Sequence, residues 1–460
     1  MKRLYEGIGR WVVAAAAGAA LLASGASAQT TVRAKVEATP QTQSRLSPVE
    51  RRMTAAAATD GERRISLLQQ LVDVNSGTLN LAGVEQVGRM MRAELEPLGF
   101  DVRWVPMTQV GRAGHLIATH KGSGKGRRML LIGHLDTVFE RDSPFQRFVR
   151  RGDIAEGPGV ADMKGGLVVM LSALKAMRAG GALDTADITV VLTGDEERVG
   201  RPHSISRADL LAAAADSDVA LEFEGLGQIE DQDQGSIARR SSSSWSLKVT
   251  GRQGHSSGIF SETAGVGAIY ELARILDTFR RELPEENLTF NTGLALGGTT
   301  VTMNPDDAGG AVSGKTNVIP PAAVARGDMR TLSNAQTERV RAKMQAIVAR
   351  NLPVTGAEIS FTDGYPAMAP TPDSRALLVQ LNAVNRDLGL AEMPEMDPRL
   401  RGAGDIAFVA GLVPGLVGLG AGGQRAHAPG ETADLTTLER QSQRAALLMH
   451  RLSRQPRPPR

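Results

Sequence analysis

An α/β fold built on a mainly parallel sheet flanked by helices is predicted by three features of this sequence. Short apolar runs, "MLLIG", "ITVVLTG", "VALEFE" and "GLVGLG", read as strands, and a helical stretch, "GGLVVMLSALKAMRAG", separates the first two. Alternation of this kind places helices on both faces of a parallel sheet. The third feature is size: 460 residues with 42% hydrophobic content suffice for more than one core, so two domains are expected.

Taken in order, residues 1–28 read as a secretory signal peptide. Lys2, Arg3 and Arg10 precede "WVVAAAAGAALLA", and Ala26-Ser27-Ala28 supplies a cleavage site before Gln29. The apolar stretch is short for a membrane span, and no later one is long enough, so the mature chain is expected to be soluble and periplasmic or secreted. With no cysteine, it has neither disulfides nor thiolate chemistry. Residues 29–46 read as a polar linker.

Structure is expected to begin at Ser47-Pro48-Val49-Glu50, a capping box with proline at the first helical position. Catalytic residues are expected in 47–236 and 364–454. "AGVEQVGRMMRAELEPLG" repeats its apolar residues at helical spacing, and "FDVRWVPM" reads as a strand. Between the two catalytic parts, residues 237–363 have a different pattern, with "SWSLKVTG", "LALGGTTVTM", Ala322 to Arg330 and "AEISFTDG" as strands. Helices are expected near "AGVGAIYELARILDTFRREL" and from Thr337 to Arg350. This is an inserted α+β domain, expected to serve as a dimerisation lid. Residues 455–460 read as a disordered basic tail. A net charge of only +3 does not indicate a nucleic-acid partner.

In an open α/β sheet, ligands bind at the carboxyl ends of the strands. His134, Asp195 to Glu197, and Glu224 fall there. Of these His134, Glu197 and Glu224, together with Asp162 in "GPGVADMKGG" and His427 in "HAPGE", provide two histidines and three carboxylates as candidate metal ligands. This N/O set suits zinc and is too large for one tetrahedral ion, so two ions sharing a carboxylate fit it. Glu196, beside Glu197, points elsewhere and is free to move a proton. "KGSGKGRR" lacks the spacing of a phosphate loop. His115, His120, His203 and His450 have no such context.

"HLDTV", "GPGVADMKGG", "GDEE", "FEG", "GHSS", "TNVIP" and "HAPGE", in this order, resemble the M20 family of dizinc metallopeptidases, and within it the periplasmic glutamate carboxypeptidases of the carboxypeptidase G type. The resemblance runs from about residue 60 to 450. It implies two Zn2+ per chain, replaceable by Co2+ or Mn2+, with Asp162 bridging them. His134 and Glu224 would hold one ion, Glu197 and His427 the other. Asp136 would accept the His134 ring N–H, Glu196 would be the general base, and His255 would stabilise the oxyanion across a homodimer. Asn317 and Arg330 match substrate-binding positions. The implied reaction is hydrolysis of an amide beside a free carboxylate in a peptide or N-acyl amino acid, most simply releasing C-terminal glutamate. Aminoacylase, dipeptidase and desuccinylase activities share these motifs. A non-catalytic solute-binding protein of the same fold is the alternative class, and it should have lost the base or a ligand.

Overall fold

The computed structural model describes residues 46–304 and 308–459. The expected signal peptide, and the linker up to residue 45, lie outside the described residues. Leu46, expected in the linker, is buried against the fold.

Helix α1 (Pro48–Thr59) starts at the expected capping box: Ser47 N donates to Glu50 Oε2 at 2.7 Å, and the Ser47 side chain accepts from Glu50 N. Helix α2 (Leu81–Leu95) then leads into strands β1 (Asp101–Pro106), β2 (Gly114–His120) and β3 (Met129–His134). Helix α3 (Lys164–Gly180), β4 (Ile188–Thr193) and β5 (Val219–Glu222) follow. The next stretch holds β6 (Ser243–Gly251), α4 (Gly267–Glu282), β7 (Thr289–Gly298), β8 (Ala322–Arg330), α5 (Asn334–Val348) and β9 (Thr355–Asp363). The chain returns through β10 (Gly415–Val417) and ends on α6 (Thr436–Leu452).

The main sheet has the order β1-β2-β4-β3-β5-β10. Its β4-β3, β3-β5 and β5-β10 pairs are parallel. At one edge β1 and β2 run antiparallel, as does β2 against β4, since a short connection between β1 and β2 permits no crossover. Both faces are buried, which explains the unbroken apolar runs. Met129 and Leu131 of β3 pack into the large core with α1, α3 and α6, while Leu130 and Ile132 face a smaller core containing Leu210, Ile406 and Val417.

The second sheet, β7-β8-β6-β9, is wholly antiparallel and has its own core. Trp245, Leu247 and Val249 alternate inward along β6 to meet Leu272, Ile275 and Phe279 of α4 and Val340 and Met344 of α5. Helix α5 starts three residues before the expected Thr337, because Ser333 caps it by accepting the Gln336 N–H. The expected disordered tail is tied down at its start. Gln455 O accepts the Arg127 N–H at 3.1 Å, and Arg457 donates to Gly126 O and pairs with Asp187.

Candidate metal centre

His134 ends β3, where the sheet's apolar run meets the cleft, and its ring is buried. Its Nε2 lies 3.1 Å from Asp162 Oδ1 and 3.1 Å from Glu224 Oε1. The other half of the cluster repeats this arrangement: His427 Nε2 is 3.1 Å from Asp162 Oδ2 and 3.1 Å from Glu197 Oε2. The five expected ligands therefore converge from separate segments, and each oxygen of Asp162 faces a different histidine.

Asp162 sits in the loop that enters α3. Gly166 lets that helix approach the end of β5, since a Cβ there would lie 1.8 Å from Phe223 O. Buried Glu431 fixes the loop by accepting from the N–H groups of Gly159 (2.9 Å), Ala161 (2.8 Å) and Asp162 (2.9 Å). His427, four residues earlier, has φ +65, an uncommon value for a non-glycine residue. Its side chain is 57% exposed, which puts it at the mouth of the site.

Asp136 departs in part from its expected role. The His134 Nδ1 is nearest the Asp136 backbone carbonyl at 3.0 Å, with the carboxylate at 3.4 Å. The carboxylate instead accepts from Thr78 Oγ1 (2.6 Å), Glu196 N (3.0 Å) and Glu197 N (3.1 Å). It thus holds the turn that carries both glutamates.

Electrostatically the cluster calls for positive charge. Burial opposes protonation of His134, yet contacts with Asp136, Asp162 and Glu224 raise its pKa well above the ordinary value. Asp162 and Glu197 raise His427 to about 11. Burial, followed by the charge of Asp162, pushes Glu197 up to about 7. Glu196 is raised well above a normal carboxyl by burial and by Glu197, Glu224 and Asp405, against the pull of His134.

A metal suits this donor set. Tetrahedral ligands at 2.0–2.1 Å stand about 3.3 Å apart, close to the 3.1 Å separations seen here. Glu197 Oε1 is buried without a hydrogen-bond partner among the described residues, so a further electropositive group would satisfy it. Donor atoms of His134, Asp162 and Glu197 lie within 4.8 Å of one another.

Supporting residues that carry no sequence signal complete the site. Arg239 bridges Glu222 (2.6 Å) and Glu224 (3.5 Å). Buried Arg207 pairs with Asp195 (2.6 Å) and Asp405 (2.8 Å) beneath the Glu196 turn, and Tyr365 Oη donates to the Glu196 carbonyl. Each is a single charged or aromatic residue that sits in no motif, and Asp405 and Tyr365 lie far along the chain from their partners. Glu431 was visible in "HAPGE", where only the histidine invited attention. His115 is structural: Gly194 N donates to its Nδ1 at 3.1 Å.

The remaining expected residues lie on the second sheet's side of the fold. His255 is exposed and pairs in register with Val318, and Ser256 N donates to Asn317 O at 2.9 Å. Arg330 ends β8, with Nε 3.5 Å from Asp328. Among the described residues, no hydrogen bond or ion pair joins these three to the five-residue cluster.

Residues 130–451 match the model of peptidase family M20/M25/M40. The chain is 28% identical over 406 residues to carboxypeptidase G2 of Pseudomonas sp. (strain RS-16), covering 85% of this chain and 90% of that one. It is also 28% identical over 399 residues to succinyl-diaminopimelate desuccinylase of Gluconacetobacter diazotrophicus, covering 84% and 97%. Among solved structures, a tripeptidase from Staphylococcus aureus superposes with a TM-score of 0.65 at 18% identity, over 86% of this chain and 99% of that one. A dinuclear metal binding peptidase of the M20 family from Bacillus subtilis does so with a TM-score of 0.60 at 17% identity, over 86% and 99%.

Proposed function

This chain belongs to peptidase family M20/M25/M40, a hydrolase family, and from that premise we propose that it is an exported two-zinc exopeptidase that cleaves an amide beside a free carboxylate, releasing C-terminal glutamate. The observation that carries the two-metal reading is Asp162, whose two oxygens each lie 3.1 Å from a different histidine. Glu224 joins the His134 half and Glu197 the His427 half. A retained Glu196 and five retained ligands favour this over a solute-binding role.

When bound, the two ions polarise the scissile carbonyl and make hydroxide available near neutral pH. Glu196 takes a proton from the attacking water and delivers it to the leaving nitrogen as the C–N bond breaks. Asp136 aims Glu196 through the backbone N–H it accepts. His255 accepts the Ser257 N–H on Nδ1 at 3.2 Å, so its neutral tautomer carries hydrogen on Nε2, suited to an oxyanion. That oxyanion would be in the partner subunit of a homodimer. Exposed Phe260 and Tyr270, with rings 5.6 Å apart, together with exposed Ile269 and Val312, offer the second sheet an apolar surface for pairing. Asn317 and Arg330 would hold the substrate's carbonyl and carboxylate. Cleavage after Ala28 and a periplasmic location rest on the N-terminal sequence.

The test is a substrate panel on the zinc-loaded protein: an N-acyl-glutamate, a folate-like glutamate amide, a dipeptide and N-succinyl-diaminopimelate. Fastest turnover of the glutamate amides is expected. A preference for the succinyl substrate would replace the glutamate assignment with a desuccinylase.

A further inference from the structure

Arg401 lies between a short turn (Pro398–Leu400) and Asp405, in a segment hydrogen-bonded to residues that support the metal cluster. Gly402 O accepts Arg239 Nε at 2.8 Å, and the same Arg239 holds Glu222 and Glu224. Four residues further on, Ile406 N donates to Glu222 Oε1 at 2.8 Å. Backbone bonds on either side therefore fix where the Arg401 side chain starts.

Arg401 is half-buried, and two of its nitrogens, Nε and Nη2, are shielded from solvent with no hydrogen-bond partner among the described residues. Burial, with the charge of Arg239 adding to it, pulls the Arg401 pKa down to about 10, although Glu224, Glu222 and Asp162 are near enough to oppose this. Those two glutamates are already engaged by Arg239. A buried cationic donor pair without an acceptor is costly, and native structures rarely keep one without a reason. Metal ions in the neighbouring cluster would add positive charge and deepen the deficit.

The geometry of the orphaned pair identifies what is missing. Nε and Nη2 lie on one edge of the guanidinium, and that edge presents two parallel N–H groups to the two oxygens of a carboxylate. A second basic group flanks the segment. Arg240 donates to Arg399 O at 3.2 Å and to Thr289 Oγ1 at 2.8 Å, and Thr289 is the cross-strand neighbour of Arg330. Arg240 thus links the Arg401 segment to the end of β8, and burial, followed by the charge of Arg330, lowers its pKa.

We propose that Arg401 is a specificity residue that binds the side-chain carboxylate of the released amino acid, so that the enzyme selects dicarboxylic leaving groups over neutral ones of the same shape. This rests on the reading above, in which the substrate is an amide beside a free carboxylate. Arg330 takes the carboxylate next to the scissile bond, and Arg401 takes the second one.

The test compares N-acetyl-glutamate with N-acetyl-glutamine, its neutral isostere, on the zinc-loaded wild type, Arg401→Gln and Arg401→Lys. Arg401→Gln should raise KM for the glutamate substrate about 10- to 100-fold with kcat changed little, and leave KM for the glutamine substrate unchanged. Arg401→Lys should fall between, since it keeps the charge and loses the fork. Equal effects on both substrates, or none on either, would overturn the proposal. Calorimetric binding of glutarate against butyrate separates the two readings. If the wild type hydrolyses neither amide yet binds glutarate in an Arg401-dependent way, the glutamate carboxypeptidase reading fails and the carboxylate site stands. Glutarate binding that ignores Arg401 removes the site alone.

Discussion

Glu196 and Glu197 are neighbours in the chain whose side chains meet different surroundings. Glu197 Oε2 is 3.1 Å from His427, in the cluster, while among the described residues the Glu196 carboxylate forms no ion pair with the five. Their backbone N–H groups share one acceptor, Asp136, so one carboxylate steers both. Removing a general base commonly costs about 10²–10⁴ in rate with binding intact. Glu196→Gln should therefore retain its zinc and lose turnover by that order, whereas Glu197→Gln should lose metal as well. Metal analysis and initial rates on the two purified variants check this, and identical behaviour would refute the division of labour.

Parallel pairing of β3 with β4 and β5 brings His134, the Glu196 turn and Glu224 side by side, and buried carboxylates fasten the loops that complete the site. Glu431 ties the loop before α3 through the N–H groups of Gly159, Ala161 and Asp162. Glu431→Gln turns an acceptor oxygen into a second donor facing those groups, leaving at least one N–H buried without a partner. Loss of such a supporting residue typically weakens metal binding about 10- to 100-fold. Competition against a chelator should show zinc affinity falling within that range, and an unchanged affinity would mean the loop needs no such anchor. At this scale the sequence was informative wherever a local pattern existed. Strands β3, β4, β5 and β10 were legible as apolar runs because both faces of their sheet are buried. The five residues that converge on Asp162 were legible because each sits in a short motif at a strand end or in a Gly-rich loop. Arg207, Arg239, Asp405 and Tyr365 were not, because an isolated charged or aromatic residue outside any motif leaves no periodicity that marks its partner. The orphaned edge of Arg401 is a property of three-dimensional burial and has no counterpart in a string of letters.

For the whole molecule, the question is how the second sheet serves the metal cluster. His255 is exposed on that side of the fold, with its Nδ1 2.8 Å from Ser257 Oγ. Losing one oxyanion donor typically costs about 10²–10³ in turnover, so His255→Ala should fall by that order with zinc content intact. Mixing it with the inactive Glu196→Gln chain should restore part of the activity, since a mixed dimer holds one site with both groups present. No recovery in confirmed mixed dimers would return His255 to a local role beside Ser257. The measurement that tests the central claim most directly is hydrolysis of an N-acyl-glutamate as zinc is returned stepwise to the chelated protein. Two histidine–carboxylate half-sites sharing Asp162 predict no activity without metal and saturation at two equivalents per chain, and saturation at one, or full activity with none, would contradict it.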